Sequence, residues 1–272
     1  MSTPEELTQV RSLIIDMDGV LYRGNAPIRG AGEFLDFLRQ MDTPFLLLTN
    51  NSTLTAAQYV SKLARMGIEM EEDKILTSAE ATAMYLARAA PPGTTVYAIG
   101  EDGVRMELEK QGFVLRDGAD VAYVVAGFDR RFTYQKMATA TLAITSGATF
   151  IGTNPDKTFP SEFGLIPGAG AILAAIETAT GTAPLIIGKP QPHIFELALQ
   201  KLEAEPETAA IVGDRLDTDI LGGHQLGLTT LLVLSGVTDA QQLASSSLTP
   251  DLVYGDIATF YHAWRDAVAV QN

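Results

Sequence analysis

The sequence predicts an α/β protein built on parallel strands, and three observations carry that prediction. Short unbroken runs of branched apolar residues recur at 13–15, 45–48 and 209–212, as expected of strands buried on both faces of a parallel sheet. Between them lie segments with apolar residues at helical spacing, of which Phe34, Leu35, Leu38 and Met41 form the first stripe. Three helices close with glycine followed by an apolar residue, Gly67-Ile68, Gly112-Phe113 and Gly227-Leu228, the left-handed helix end that feeds a next strand. Strand and helix alternate along much of the chain, which argues for right-handed crossovers.

Taken in order, Ser2-Thr3-Pro4-Glu5-Glu6 reads as a helix start, with a hydroxyl cap, an early proline and acids near the positive end of the dipole. The apolar run at 13–15 then ends in Asp16-Met17-Asp18-Gly19. On an extended backbone Asp16 and Asp18 point the same way, and carboxylates on one side repel unless a cation or shared proton sits between them. The other reading is a strand end followed by an Asx-type turn closed by Gly19. Residues 22–32, rich in Gly and Pro, read as loop before the helix that carries the Phe34 stripe. The strand at 45–48 ends in Thr49-Asn50-Asn51-Ser52. These small polar groups either donate to an anion at the N-terminus of the next helix, 55–66, or cap that helix through Asn51 or Ser52.

Strands follow at 94–99 and 122–126 and helices at 106–111 and 134–144, with Ala90-Pro91-Pro92-Gly93 marking a turn. Arg130 and Arg131 come just after a strand, where they meet an anion or sit in a solvated loop. Phe150-Ile151-Gly152 ends another strand, and a polar, proline-broken loop is expected as far as Pro167-Gly168-Ala169-Gly170. That glycine-rich stretch opens an apolar helix, 171–179, but lacks the G-x-G-x-x-G phosphate spacing. The strand at 184–187 leads into Gly188-Lys189-Pro190, where Lys189 is either a solvated turn residue or a point charge fixed by its prolines. His193, at the start of the helix 194–202, reads as a helix-end or packing residue. The strand ending Gly213-Asp214 finishes on an acid as the first one does, and 215–219 opens a helix where acids also serve as caps. Segments 229–234 and 252–256 complete the sheet.

Composition narrows the function. The 272 residues suffice for one large domain or two modest ones, and 46% apolar with 19% charged residues is ordinary for a globular chain. A formal net charge of −14 repels nucleic acid and anionic membrane, so neither is an expected partner. An anion site must then be local, built from a metal, a lysine and backbone amides. Without cysteine there is no disulfide, thiolate metal site or thiol nucleophile, and three dispersed histidines argue against zinc. Glu5 and Glu6 in place of a basic start argue against a signal peptide, and no window approaches a membrane span, so a cytoplasmic protein is expected.

Ligands of open α/β sheets bind outside the carboxyl ends of the strands. Asp16, Asp18, Thr49, Asn50 and Asp214 all fall at such ends, and Lys189 follows another strand. Hard oxygen ligands without histidine or cysteine select magnesium, and lysine with magnesium neutralises a transferring phosphoryl group.

The ordered set Asp16-x-Asp18-Gly19, Leu48-Thr49-Asn50, Gly188-Lys189-Pro190 and Gly213-Asp214-x-x-x-Thr218-Asp219 resembles the four motifs of the haloacid dehalogenase superfamily. More closely it resembles the branch that holds 4-nitrophenylphosphatase, phosphoglycolate phosphatase and NagD-like nucleotide phosphatases. The resemblance implies a Rossmann-like doubly wound core over 1–78 and 184–272 with an inserted α/β cap over 79–183. It further implies Asp16 as nucleophile and Asp18 as acid and base. The metal would be held by Asp16, the Asp18 backbone carbonyl and Asp214, with Asp219 behind them. Thr49 and Asn50 would bind phosphate, and Lys189 would stabilise charge. Asp156, Lys157 and Phe159 are the cap residues expected at the leaving group. The expected substrate is a small phosphorylated metabolite, the cofactor Mg2+, and a homodimer is open because this branch often dimerises through its cap. Two alternatives remain. Dehalogenation is disfavoured by Asp18, since that chemistry needs only the first acid. A non-catalytic phosphometabolite-binding relative is disfavoured by the intact set.

Overall fold

The computed structural model describes residues 9–161 and 164–269, so the helix start expected at 2–6 lies outside the described residues. The backbone divides into two compact units. One comprises Met1–Thr49, Val60–Ile75 and Phe195–Asn272; the other comprises Asn50–Tyr59 and Leu76–Ile194.

The first unit is organised by a six-stranded sheet. Ser12–Asp16 runs near its centre, parallel to Ala209–Gly213 on one side and to Phe45–Thr49 on the other. Thr229–Val233 and Leu252–Tyr254 extend it beyond Ala209–Gly213, and Ile75–Thr77 lies beyond Phe45–Thr49. Chain order therefore leaves Ser12–Asp16 in both directions, which makes its carboxyl end a switch point where open α/β sheets leave a crevice. Register brings the ends level, with Ile15 opposite Val212 and Asp16 opposite Leu48. Leu13, Ile14 and Ile15 are fully buried, as the unbroken apolar run requires.

The helix Ala31–Gln40 covers this sheet through Phe34, Leu35, Phe37 and Leu38. Met41, expected on the same stripe, is 45% exposed because the helix stops at Gln40 and the chain turns through Asp42 at φ 49°. Phe34 and Phe37 meet Phe260, Tyr261 and Trp264 of the helix Ile257–Ala269 in one aromatic cluster, with centroids 5.3 Å apart for Phe34–Phe260 and for Phe37–Tyr261. The stretch expected as loop at 22–32 contains a short hairpin, Tyr22–Arg23 against Ala26–Pro27.

The second unit holds a five-stranded parallel sheet in the order Leu185–Ile186, Thr149–Gly152, Tyr123–Ala126, Thr95–Ile99, Val114–Leu115. Its core joins Tyr97, Ile99, Val124 and Phe150 of the sheet to Ala140 and Ile144 of Tyr134–Thr145 and to Leu173 and Ile176 of Ala169–Thr180. The loop expected up to Pro167 instead forms a hairpin, Thr158–Ser161 against Gly164–Pro167. Two strands with no further neighbours tolerate Pro160 and Pro167, which would interrupt a central ladder. The short strand before Lys189 pairs with Thr149–Gly152, so it belongs to this sheet and not to the six-stranded one that the sequence pattern suggested.

All three expected glycine helix ends are left-handed, with φ of 76° at Gly67, 85° at Gly112 and 77° at Gly227. Each is followed by an N–H that reaches back across the last turn, from Ile68 to the Leu63 carbonyl, Phe113 to Leu108 and Leu228 to Gly223.

Trp264 is the single tryptophan and sits in the aromatic cluster, so its fluorescence reports unfolding of the first unit alone. Phe34→Ala, which empties the centre of that cluster, should lower stability by about 3–5 kcal/mol in urea titrations followed at Trp264. A loss under about 1 kcal/mol would show that the cluster collapses around the missing ring.

Candidate active site

In the first unit the strand ends bring acids together. Asp16 closes Ser12–Asp16 and Asp214 follows Ala209–Gly213, so adjacent parallel strands deliver both to the same edge. Asp219 joins them, and one carboxylate oxygen from each of the three lies within 4.8 Å of the others. All three are buried. The sequence pattern anticipated a plain helix after Asp214; the chain instead makes a π-helical turn over Leu216–Ile220 before the helix Leu221–Leu226. Such turns are frequent at functional sites. Here it folds the Asp219 carboxylate back, where Oδ2 accepts from the Arg215 N–H at 3.2 Å and the Thr218 hydroxyl at 3.4 Å.

Space is reserved for these acids by glycine. A Cβ on Gly213 would lie 2.2 Å from that of Asp219. One on Gly236 would lie 1.8 Å from Asp214 Oδ2, and one on Gly19 would lie 2.4 Å from the same oxygen. Gly19 also holds φ at +81°, which side chains rarely adopt. Asp214 Oδ2 accepts from the Val237 N–H at 2.6 Å. The Ser235 hydroxyl donates to the Gly19 carbonyl at 2.7 Å, which ties the turn after Asp18 to the loop after Thr229–Val233.

Asp18 is half-buried and bridges to Tyr22 across a tight turn in which Met17 O accepts from the N–H groups of Leu21 and Tyr22. The Tyr22 hydroxyl donates to Asp18 Oδ2 at 3.3 Å. Lys62 places its ammonium 3.9 Å from the centre of the Tyr22 ring. Burial pulls that ammonium below lysine's usual range, the Asp18 carboxylate acts in the opposite sense, and Arg65 adds to the lowering.

In the second unit Asn50 is the organising side chain. Its Oδ1 accepts from the Lys189 N–H at 2.8 Å and its Nδ2 donates to the Lys189 carbonyl at 3.0 Å, gripping the lysine's main chain from both sides. Nδ2 also lies 3.2 Å from Asp156 Oδ1. The Asn50 carbonyl in turn accepts from Asn154 Nδ2 and from the Ser78 hydroxyl. Gly188 permits this approach, since a Cβ there would be 2.7 Å from Asn50 Oδ1. Lys189 itself is 2% exposed.

Helix capping, the competing reading of 49–52, falls to Thr55. Its hydroxyl accepts from the Gln58 N–H and its own N–H donates to Gln58 Oε1. Asn51 closes a local turn onto Thr53. Of the cap residues expected at the leaving group, Asp156 joins the Asn50 and Lys189 group, Lys157 is exposed, and Phe159 stacks on Phe128 at 4.9 Å. Arg130 pairs with Glu101 at 3.0 Å, and Gly168 and Gly170 serve close packing on the carbonyls of Asp156 and Pro155. His193 lies against Tyr85, as a packing residue should.

The sequence pattern left out Tyr22, Lys62, Ser78 and Gly236. Tyr22 stood in a stretch read as loop, and the others carry no spacing signal. The donor set around Asp16, Asp214 and Asp219 is wholly oxygen, buried and negatively charged, which fits a hard divalent cation of the magnesium kind. No helix among the described residues is long and apolar enough to cross a membrane.

A family model described as haloacid dehalogenase-like hydrolase matches residues 13–114, and a second, described as HAD-hydrolase-like, matches 186–260. The chain is 42% identical over 247 residues to an acid sugar phosphatase of Staphylococcus saprophyticus, covering 91% of this chain and 95% of the relative. Among solved structures, a 4-nitrophenylphosphatase from Thermotoga maritima superposes with a TM-score of 0.91 at 35% identity, covering 95% of this chain and 99% of that one. A glycerol phosphate phosphatase from Mycobacterium tuberculosis, solved with magnesium, gives 0.86 at 32% identity, covering 95% and 78%.

Gly236→Ala should push the Asp214 carboxylate aside and lower the affinity of the cluster for a divalent cation, titrated calorimetrically as magnesium, by about tenfold or more. Unchanged affinity would mean that Asp214 does not depend on that glycine for its place.

Proposed function

The chain belongs to the haloacid dehalogenase-like hydrolases, and from that membership we propose that it is a magnesium-dependent phosphatase of small phosphomonoesters working through an aspartyl-phosphate. The observation that carries this reading is the cluster of Asp16, Asp214 and Asp219 at neighbouring strand ends, with Asp18 one turn onward.

In the first step Asp16 attacks phosphorus through a carboxylate oxygen, the ester P–O bond breaks, and Asp18 gives its proton to the departing alkoxide. In the second, the Asp18 carboxylate takes a proton from water, whose oxygen attacks the aspartyl-phosphate and releases inorganic phosphate. Splitting hydrolysis this way lets one carboxyl serve as acid and then as base. Asp16, Asp214 and the Asp18 carbonyl would hold magnesium, with Asp219 beside them; when bound, the ion supplies positive charge against the phosphoryl oxygens. Thr49 and Asn50 bind phosphate oxygens, and Lys189 stabilises charge on the nucleophile and phosphoryl group.

Residues 1–78 and 184–272 are assigned to the catalytic core and 79–183 to a cap that selects the leaving group, with the strand Leu185–Ile186 pairing to Thr149–Gly152 across that boundary. The stretch 154–167, with Asp156, Lys157 and Phe159, is the part of the cap given that role. Substrates of the size of glycerol phosphate, sugar phosphates and 4-nitrophenyl phosphate fit the reading, and a cytoplasmic setting agrees with it.

Three measurements test it. With magnesium, the protein should release phosphate from a panel of such esters, and EDTA should stop it. Asp16→Asn should lower turnover of 4-nitrophenyl phosphate by at least about 10⁴-fold while the fold persists by circular dichroism, and residual turnover near wild type would remove Asp16 from its role. Exchanging 154–167 for the corresponding segment of a relative should reorder kcat/KM across the panel; an unchanged order would place specificity elsewhere.

A further inference from the structure

Resting on the phosphatase reading, we propose that Tyr22 and Lys62 are positioning residues for Asp18, the tyrosine hydroxyl engaging one carboxyl oxygen and so turning the other toward the leaving group. Tyr22 is among the largest fully buried side chains, although it leads a strand of only two residues. Burial of a tyrosine ring demands a partner for its hydroxyl, and that partner is Asp18 Oδ2. Its backbone is fixed as well. The Gly19 N–H donates to the Tyr22 carbonyl at 2.8 Å and the Tyr22 N–H to the Met17 carbonyl at 3.3 Å. The turn thus ties the ring to the same five-residue stretch that holds Asp18.

Lys62 arrives from a different part of the sequence, in the last turn of Ala56–Ala64, and sets its ammonium 3.9 Å from the Tyr22 ring centre. A cation at that distance is attracted by the ring's negative face and holds the ring's orientation. It also draws electron density from the ring, which makes the phenol a stronger hydrogen-bond donor. A hydroxyl bound to Oδ2 fixes the rotation of the Asp18 carboxyl group, so the direction in which Oδ1 points is set by the ring. Tyr22 therefore sets the orientation of the Asp18 carboxyl group, and Lys62 keeps Tyr22 where it can do so.

The assignment separates substrates by leaving group. An alkoxide departs poorly without a proton, whereas 4-nitrophenolate departs readily without one. Since kcat/KM reports steps up to departure of the alcohol, Tyr22→Phe, which keeps the ring and loses the hydroxyl, should lower kcat/KM for glycerol phosphate by about tenfold or more. For 4-nitrophenyl phosphate the loss should stay below about threefold. Lys62→Met should act in the same direction, and Lys62→Arg, which restores a cation over the ring, should recover most of the loss. Equal losses on both esters, or no loss on either, would overturn the inference while leaving the phosphatase reading intact, as would failure of Lys62→Arg to recover activity that Lys62→Met had lost. A wild-type protein inert toward both esters would overturn that reading and this one with it.

Discussion

Three buried carboxylates within 4.8 Å of one another repel, and the rest of the first unit is arranged around tolerating that repulsion. Two come from the ends of adjacent strands and the third from a π-helical turn folded back beside them. Backbone N–H groups of Arg215 and Val237 offset part of the charge, and glycines at 19, 213 and 236 give the oxygens room. With them, the acids remain as a ready set of hard ligands, and a divalent cation makes the arrangement favourable.

The parallel arrangement was legible because burial on both faces leaves an unmistakable apolar run at 13–15, 45–48 and 209–212. The glycine helix ends were legible because only glycine adopts that turn without strain. Asp16, Asp18 and Asp214 could be read as strand-end acids from their place after such runs. What the pattern missed depended on contacts between distant residues. The hairpin at 158–167 was hidden by its prolines, which signal a loop unless the strand is known to lie at an edge. The π-helical turn was hidden because its residues suit an ordinary helix equally well. Lys189 stood out in the sequence, but the sheet its strand joins did not, since two residues of strand carry no record of their partner.

The two units hold different kinds of group. The first supplies the acids, on strands whose ends are set level by the parallel register. The second supplies the lysine and the amide that orients it, on segments separated by more than a hundred residues in sequence. Charges and donors fixed in a fold act more strongly than the same groups in water, where they are screened and mobile.

Asn50 holds Lys189 by its main chain and makes no use of its charge. Burial encloses the side chain as well, since the whole residue is 2% exposed. A free lysine side chain has about 2 kcal/mol of rotamer freedom to lose on being fixed. Here that ordering cost is met when the protein folds, and not at a later binding event.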